Sequence, residues 1–229
     1  MLIILAILLQ AYISAADSSF KTLCGDKDGM NDEIRQMFVD KHNDYRSHIA
    51  RGKAPNGASG TTLPQAAAMM KVKYSCEIED DMMDWLKKCK YESNPWTWRK
   101  WWGQSLWKTS KLNMNKTQAA KACVREWYEE VKKYGAPQDL VLTLDIAFAR
   151  NITRFTQMAW QSSYVIGCGV VWCNDMTFAG CEYAPFGNMV DDEIYTPGAP
   201  CKTDDDCIQD GRNPPEAKCS PSEALCYEP

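Results

Sequence analysis

Residues 150–160, R-N-I-T-R-F-T-Q-M-A-W, bring arginine, hydroxyls, amides and bulky aromatics into one short run, a composition suited to the lip of a chemical site. Thr156 and Gln157 supply a hydroxyl and an amide that could line a cleft. A hydrolytic or metal centre would ordinarily add histidine. The chain has two, His42 and His48, both far upstream and six residues apart, which excludes an i, i+4 ligand pair. His42 shares a helical face with Phe38 and Tyr45 and reads as a packed, hydrogen-bonded side chain. The acidic runs Asp191-Asp192-Glu193 and Asp204-Asp205-Asp206 lack the ligand spacing of a calcium loop and read as solvated turns. Cys201, Cys207, Cys219 and Cys226, spaced C-x5-C-x11-C-x6-C, lack the close pairs of a zinc ribbon and read as two disulfides with three connectivities open.

A second concentration of chemistry is aromatic. Five of the nine tryptophans, Trp96, Trp98, Trp101, Trp102 and Trp107, fall within residues 96–107. Such a run either packs a long loop onto the domain or forms an exposed platform for a protein, glycan or lipid. Arg99 and Lys100 beside the rings can add cation–π contacts.

The elements that must position these residues follow from periodicity. Ile34, Phe38, Tyr45 and Ile49 recur at helical intervals between Asn31, a cap, and Gly52, a stop. Residues 52–64 are rich in Gly and Pro and read as a loop. A second helix is expected over about 77–91, a third over about 116–134 and a short one over 154–160. V-I-G-C-G-V-V-W-C (165–173) and M-T-F-A-G-C-E-Y-A (176–184) read as two strands of an antiparallel hairpin. Helices around a small antiparallel sheet make an α+β, layered α/β/α domain.

Leu2–Leu9 form an apolar run too short to span a bilayer, and Ser14 and Ala16 suit a signal-peptidase cut before Asp17. No later stretch is long and apolar enough for a membrane span. An extracellular, secreted protein is expected, with a leader over 1–16 and one main domain over 17–192. A cysteine-rich extension fills 193–229. Eleven cysteines read as a disulfide framework, and the sequons at Asn115 and Asn151 fit the same compartment. With a net charge of −4 and no polybasic run, neither nucleic acid nor anionic lipid headgroups are expected partners.

T-R-F-T-Q-M-A-W (153–160) resembles the G-H-F-T-Q-M-V-W signature of the CAP superfamily of cysteine-rich secretory, antigen 5 and pathogenesis-related proteins. C-E-Y-A-P-F-G-N-M (181–189) resembles its C-x-Y-x-P-x-G-N signature. H-N-D-Y-R (42–46), W-Y-E-E-V-K-K-Y (127–134) and Y-S-C-E-I-E (74–79) support the match, which covers roughly residues 30–195. The tail beginning I-Y-T-P-G-A-P-C (194–201) is similar to the hinge of parasitic-nematode members, the activation-associated secreted or venom-allergen-like proteins. The resemblance implies an α/β/α sandwich with a central cleft, where many members place two His and two Glu that can hold zinc.

Carried over residue by residue, those four positions fall on Ser93 (or its neighbour Glu92), Gln104, Glu130 and Arg154. Only Glu130 keeps the family's residue. Arginine keeps its proton and offers no lone pair. With an effective dielectric of about 20, it would oppose a unit charge 4 Å away by about 4 kcal/mol, and a divalent ion by about twice that. A Glu130–Arg154 pair in a metal-free cleft, or Arg154 turned to solvent, is expected, with no cofactor and no enzyme activity. Thr153 in place of the usual Gly, and Glu182 within the second signature, also depart from the pattern.

The family pattern further implies Cys89–Cys168, Cys173–Cys181 and two tail bridges. Cys24–Cys76 would then tie down the N-terminus, leaving Cys123 as a buried thiol or as the link of a disulfide-bonded homodimer. The function expected is binding of a host protein, lipid or sterol at the host–parasite interface. Two alternatives stay open: a divergent hydrolase using Glu130, and the structural dimer.

Overall fold

A computed structural model describes residues 24–229, so the expected leader lies outside the described residues. Helix α1, Asp32–Ala50, starts where Asn31 accepts a hydrogen bond from the Ile34 N–H at 3.0 Å, and Asp32 and Glu33 complement the dipole of its first turn. Helix α3, Lys116–Tyr134, is capped the same way by Asn115 and stops at Gly135, whose φ of 73° suits a residue without a Cβ. The apolar faces of α1 and α3 pack together, with Tyr45 stacked on Tyr128 at 4.1 Å.

Helix α2 is shorter than its periodicity suggests, running over Cys76–Leu86. Lys87 caps it, and Cys89 turns to a φ of 53° to reach its disulfide partner Cys173. Two short helices, α4 (Leu144–Ala149) and α5 (Thr153–Ala159), precede the hairpin.

Four strands form the central sheet, in the order β3 (Lys73–Tyr74), β5 (Val165–Trp172), β6 (Thr177–Ala184), β4 (Gly103–Thr109). The β5–β6 hairpin matches the sequence expectation. Strand β4 does not, because its alternation lies inside the aromatic run read as a loop. The pairs are antiparallel except for the short β3–β5 contact, which makes the sheet mixed. Helix α2 covers one face, and α1, α3 and α5 the other. Gly167 allows the close approach of α2: a Cβ there would come within 2.2 Å of the Glu79 backbone nitrogen. This is the expected three-layer α+β architecture.

Outside the sheet, β1 (Pro55–Asn56) and β2 (Thr61–Thr62) form a minor ladder, and β7 (Lys218–Ser220) and β8 (Leu225–Tyr227) a hairpin in the extension. The extension is fastened to the domain. The Cys226 N–H donates to the Met69 carbonyl at 2.8 Å, and Asn213 Nδ2 donates to the Ala68 carbonyl at 2.8 Å.

The disulfide expectation is partly overturned. Cys24–Cys76 forms as expected, but the core bridges are Cys89–Cys173 and Cys168–Cys181 rather than Cys89–Cys168 and Cys173–Cys181. The reason is register. Cys168 and Cys181 stand directly opposite in the β5–β6 ladder, so strand pairing itself brings their sulfurs together. In the extension the pairs are Cys201–Cys219 and Cys207–Cys226. Cys123 is free and fully buried, and burial pushes its thiol well above the usual range. Of the two roles left open for Cys123, its setting is that of the buried thiol.

Candidate functional site

Two regions bear on function: the groove beside Glu130 and the aromatic loop before β4. Glu130 sits on the inward face of α3, 7% exposed, facing the start of α5. Helix α5 begins after Ile152, a residue whose side chain cannot cap it. Glu130 supplies the cap from another helix. Its Oε2 accepts the Phe155 N–H at 2.9 Å and the Arg154 N–H at 3.2 Å, and its Oε1 accepts Arg154 Nε at 2.5 Å. Burial pushes the Glu130 carboxyl above its ordinary value, against the opposing pull of the guanidinium and the two backbone donors. Both carboxylate oxygens are thus already engaged. The adjoining groove, of about 310 Å³, is lined by Tyr91, Trp107, Glu126, Lys133 and Arg154 among others.

The other tetrad positions lie apart. Gln104 is directly opposite Glu182 in the β4–β6 ladder and donates to its Oε1 at 3.1 Å, while accepting the Asn94 N–H at 3.0 Å. Glu182 in turn stands opposite Gly167, against which α2 is pressed, so Gln104 points to the α2 side of the sheet. Ser93 and Glu92 are exposed on the loop.

Thr156 and Gln157 are buried rather than free to line a cleft. The Thr156 hydroxyl donates to Asn188 Oδ1 at 2.7 Å, and Asn188 Nδ2 donates to the Thr153 carbonyl at 2.8 Å. Gln157 Nε2 donates to Ser163 Oγ at 3.2 Å, and Ser163 Oγ donates to the Pro185 carbonyl at 2.7 Å. The two signature stretches are therefore one structural joint between α5 and the turn after β6.

Neither histidine reaches the groove. His42 is fully buried, its Nδ1 2.8 Å from the Phe38 carbonyl and its Nε2 2.9 Å from the Tyr183 hydroxyl. A carbonyl only accepts, so Nδ1 carries the proton and Nε2 accepts from the hydroxyl. Burial pushes the His42 pKa down to about 4, keeping the ring neutral. His48 is exposed, with its ring edge toward Tyr128.

Glu182 is a residue whose setting the sequence did not disclose. It is fully buried, and its pKa is pushed up to about 9, first by burial and then by the neighbouring Asp81 carboxylate. It carries its proton at neutral pH. Its departure from the second signature, and an acidic residue inside a largely apolar strand, were the signals the sequence offered.

The tryptophan run divides in two. Trp107 lies on β4 facing α3, 6% exposed, and its indole donates to Glu126 Oε2 at 2.6 Å, which removes it from the proposed binding aromatics. Trp102 is half-buried beneath Lys100. Trp96, Trp98 and Trp101 are 46%, 68% and 64% exposed. Trp96 lies 6.3 Å from Trp101 and 6.2 Å, edge to face, from Phe186. The buried Arg99 guanidinium stacks 4.0 Å from Trp96, and Lys88 reaches over Trp98 at 5.1 Å. Asn115 and Asn151, the two sequon residues, are both exposed.

Residues 39–183 match the family described as CAP, the cysteine-rich secretory protein family. An Ancylostoma secreted protein from Ancylostoma caninum is 39% identical over 208 residues, 90% of this chain and 47% of that protein. The crystal structure of Na-ASP-1 superimposes with a TM-score of 0.80 at 38% identity, covering 90% of this chain and 50% of that one. A crystal structure of NaASP2 with Zn2+ superimposes with a TM-score of 0.78 at 33% identity, covering 87% of this chain and 98% of that one. The chain thus spans about half the length of the first two relatives. No helix among the described residues is long and apolar enough to cross a membrane.

Proposed function

Because the chain belongs to the cysteine-rich secretory protein (CAP) family, we propose that it acts outside the cell as a non-enzymatic binding protein at a host–parasite interface, capturing a host protein or lipid. The observation that carries this reading is the outward display of Trp96, Trp98 and Trp101 on a loop braced from within. Large aromatics contribute most where they can leave water on contact.

The groove supports the reading from the other side. Zinc needs thiolate, imidazole or carboxylate lone pairs. Here the one carboxylate kept at the family's four positions is held by Arg154 Nε at 2.5 Å and by two backbone N–H groups. The residues present do not fit the ion that the relative's structure contains, and we read the tetrad as degenerate. General-base chemistry meets the same obstacle: Glu130 has no imidazole relay, and both histidines lie elsewhere.

The test is paired capture. Wild type immobilised against host serum and cell extract should retain a component that Trp98→Ala/Trp101→Ala loses while its melting curve is unchanged. Capture that survives the double variant moves the binding face elsewhere. Hydrolysis of peptide or ester substrates that disappears in Glu130→Gln would replace this reading with the hydrolase.

A further inference from the structure

We infer that the partner of the aromatic loop is the headgroup layer of an anionic phospholipid bilayer, on which the loop lies without spanning it. The inference rests on the loop being the binding face.

Charge is the first observation. The whole chain carries a net −4, yet residues 87–102 hold Lys87, Lys88, Lys90, Arg99 and Lys100 against a single acid, Glu92. Five cations less one anion give +4 along the sequence, but Arg99 is buried and adds nothing to the surface charge, and Asp84 lies 4.0 Å from Lys87. Lys87 and Lys100 are partly neutralised by Asp28 and Glu77, both at 2.6 Å. Lys88 and Lys90 are exposed and have no acidic partner among the described residues. The unpaired surface charge beside the rings is therefore carried by Lys88 and Lys90, and these two ammonium groups, against the trend of the chain's net charge, favour an anionic surface and orient approach to it.

The second observation is the chemistry of the rings. Trp98 and Trp101 are about two-thirds exposed, and neither indole N–H has a hydrogen-bond acceptor among the described residues. An indole with an apolar body and an unused donor suits the boundary between acyl chains and ester carbonyls. Lysines alongside can keep their stems against apolar surface and their ammonium groups among phosphates. Phe186, 38% exposed and in contact with Trp96, extends the apolar face beyond the loop.

The third observation is rigidity. The loop is tied at its start by Cys89–Cys173. It is held inside by the Trp85 indole donating to the Glu92 carbonyl at 2.9 Å, and by Gln104 accepting the Asn94 N–H at 3.0 Å. Its rings are held outward before any partner arrives, so docking orders little further chain.

The experiment is co-sedimentation of the full secreted chain with phosphatidylcholine vesicles, with and without phosphatidylserine, alongside tryptophan emission. We expect pelleting and a blue shift with phosphatidylserine vesicles, both weakened by added salt. Lys88→Glu/Lys90→Glu should weaken binding about tenfold or more, since each surface cation contributes on the order of fivefold. Trp98→Ala/Trp101→Ala should abolish the blue shift. Absence of pelleting, or pelleting indifferent to both variants, overturns the inference; so does a sulfated glycan that binds the loop when vesicles do not. If vesicles fail while tryptophan-dependent capture of a host component persists, the bilayer assignment falls and the binding reading stands.

Discussion

The Glu130 groove and the tryptophan loop lie in one domain, yet they treat their polar groups in opposite ways. In the groove, a buried carboxylate is met by a guanidinium and two backbone donors, all supplied by α5. Neither Glu130 oxygen is left without a donor. On the loop, the three exposed rings lie against one another, Phe186 or nearby cations, and Lys88 and Lys90 have no acidic partner among the described residues, while the loop's own interior is braced by a disulfide and hydrogen bonds. One domain can thus satisfy a buried carboxylate internally and still leave large aromatics exposed, because the groove and the loop use different side chains.

The contrast breaks most readily at Glu130. Glu130→Ala removes the only side-chain cap of α5 and leaves Arg154 without its carboxylate. Urea unfolding should show a loss of about 2–4 kcal/mol, below the largest buried-pair effects because Arg154 is partly solvated. A loss near zero would mean that the groove is as unengaged as the loop.

A smaller effect sharpens the contrast beneath the loop. The folded-state pKa of Glu182 is raised from 4.5 to about 9, so the folded protein holds a proton that the unfolded chain releases between those values. Its contribution is fully present below pH 4.5 and declines as pH rises toward about 9. Melting temperature should fall across that window in wild type, and the slope should flatten in Glu182→Gln, which keeps a donor facing Asp81. An unchanged slope would place the titration elsewhere.

The smallest expected effect is on the loop itself. Trp98→Ala/Trp101→Ala should change stability by no more than about 0.5 kcal/mol per site, because exposed rings lose little packing. A larger loss in the same unfolding assay would reclassify the loop as core and erase the contrast.

Legibility followed the range of the interactions. Helix α1 could be read with its Asn31 cap and α3 from its periodicity, since both signals act within a few residues. The β5–β6 hairpin was equally local. Strand β4 was hidden, because the burial of Gly103, Ser105 and Trp107 but not of Gln104 and Leu106 arises only against β6 and α3. Helix α2 was read five residues too long, since its apolar spacing continues to Cys89 while the chain turns away to meet Cys173. The Glu130–Arg154 pair was one of two outcomes expected once the resemblance placed both residues in one cleft, but the two backbone hydrogen bonds to Glu130 were not expected. They depend on where α5 starts relative to α3.

What the amino-acid order determined by itself is the main helices and the β5–β6 hairpin, the family and the presence of an arginine where lone pairs would be needed, because periodicity, turn signals and protonation are properties of near neighbours or single side chains. Tertiary structure alone decided which cysteines pair, that Gln104 turns to Glu182 rather than Glu130, and which tryptophans meet water. Those outcomes depend on strand register and on which face each residue presents. A shift of one residue reverses every face, and no local pattern in this chain records that choice.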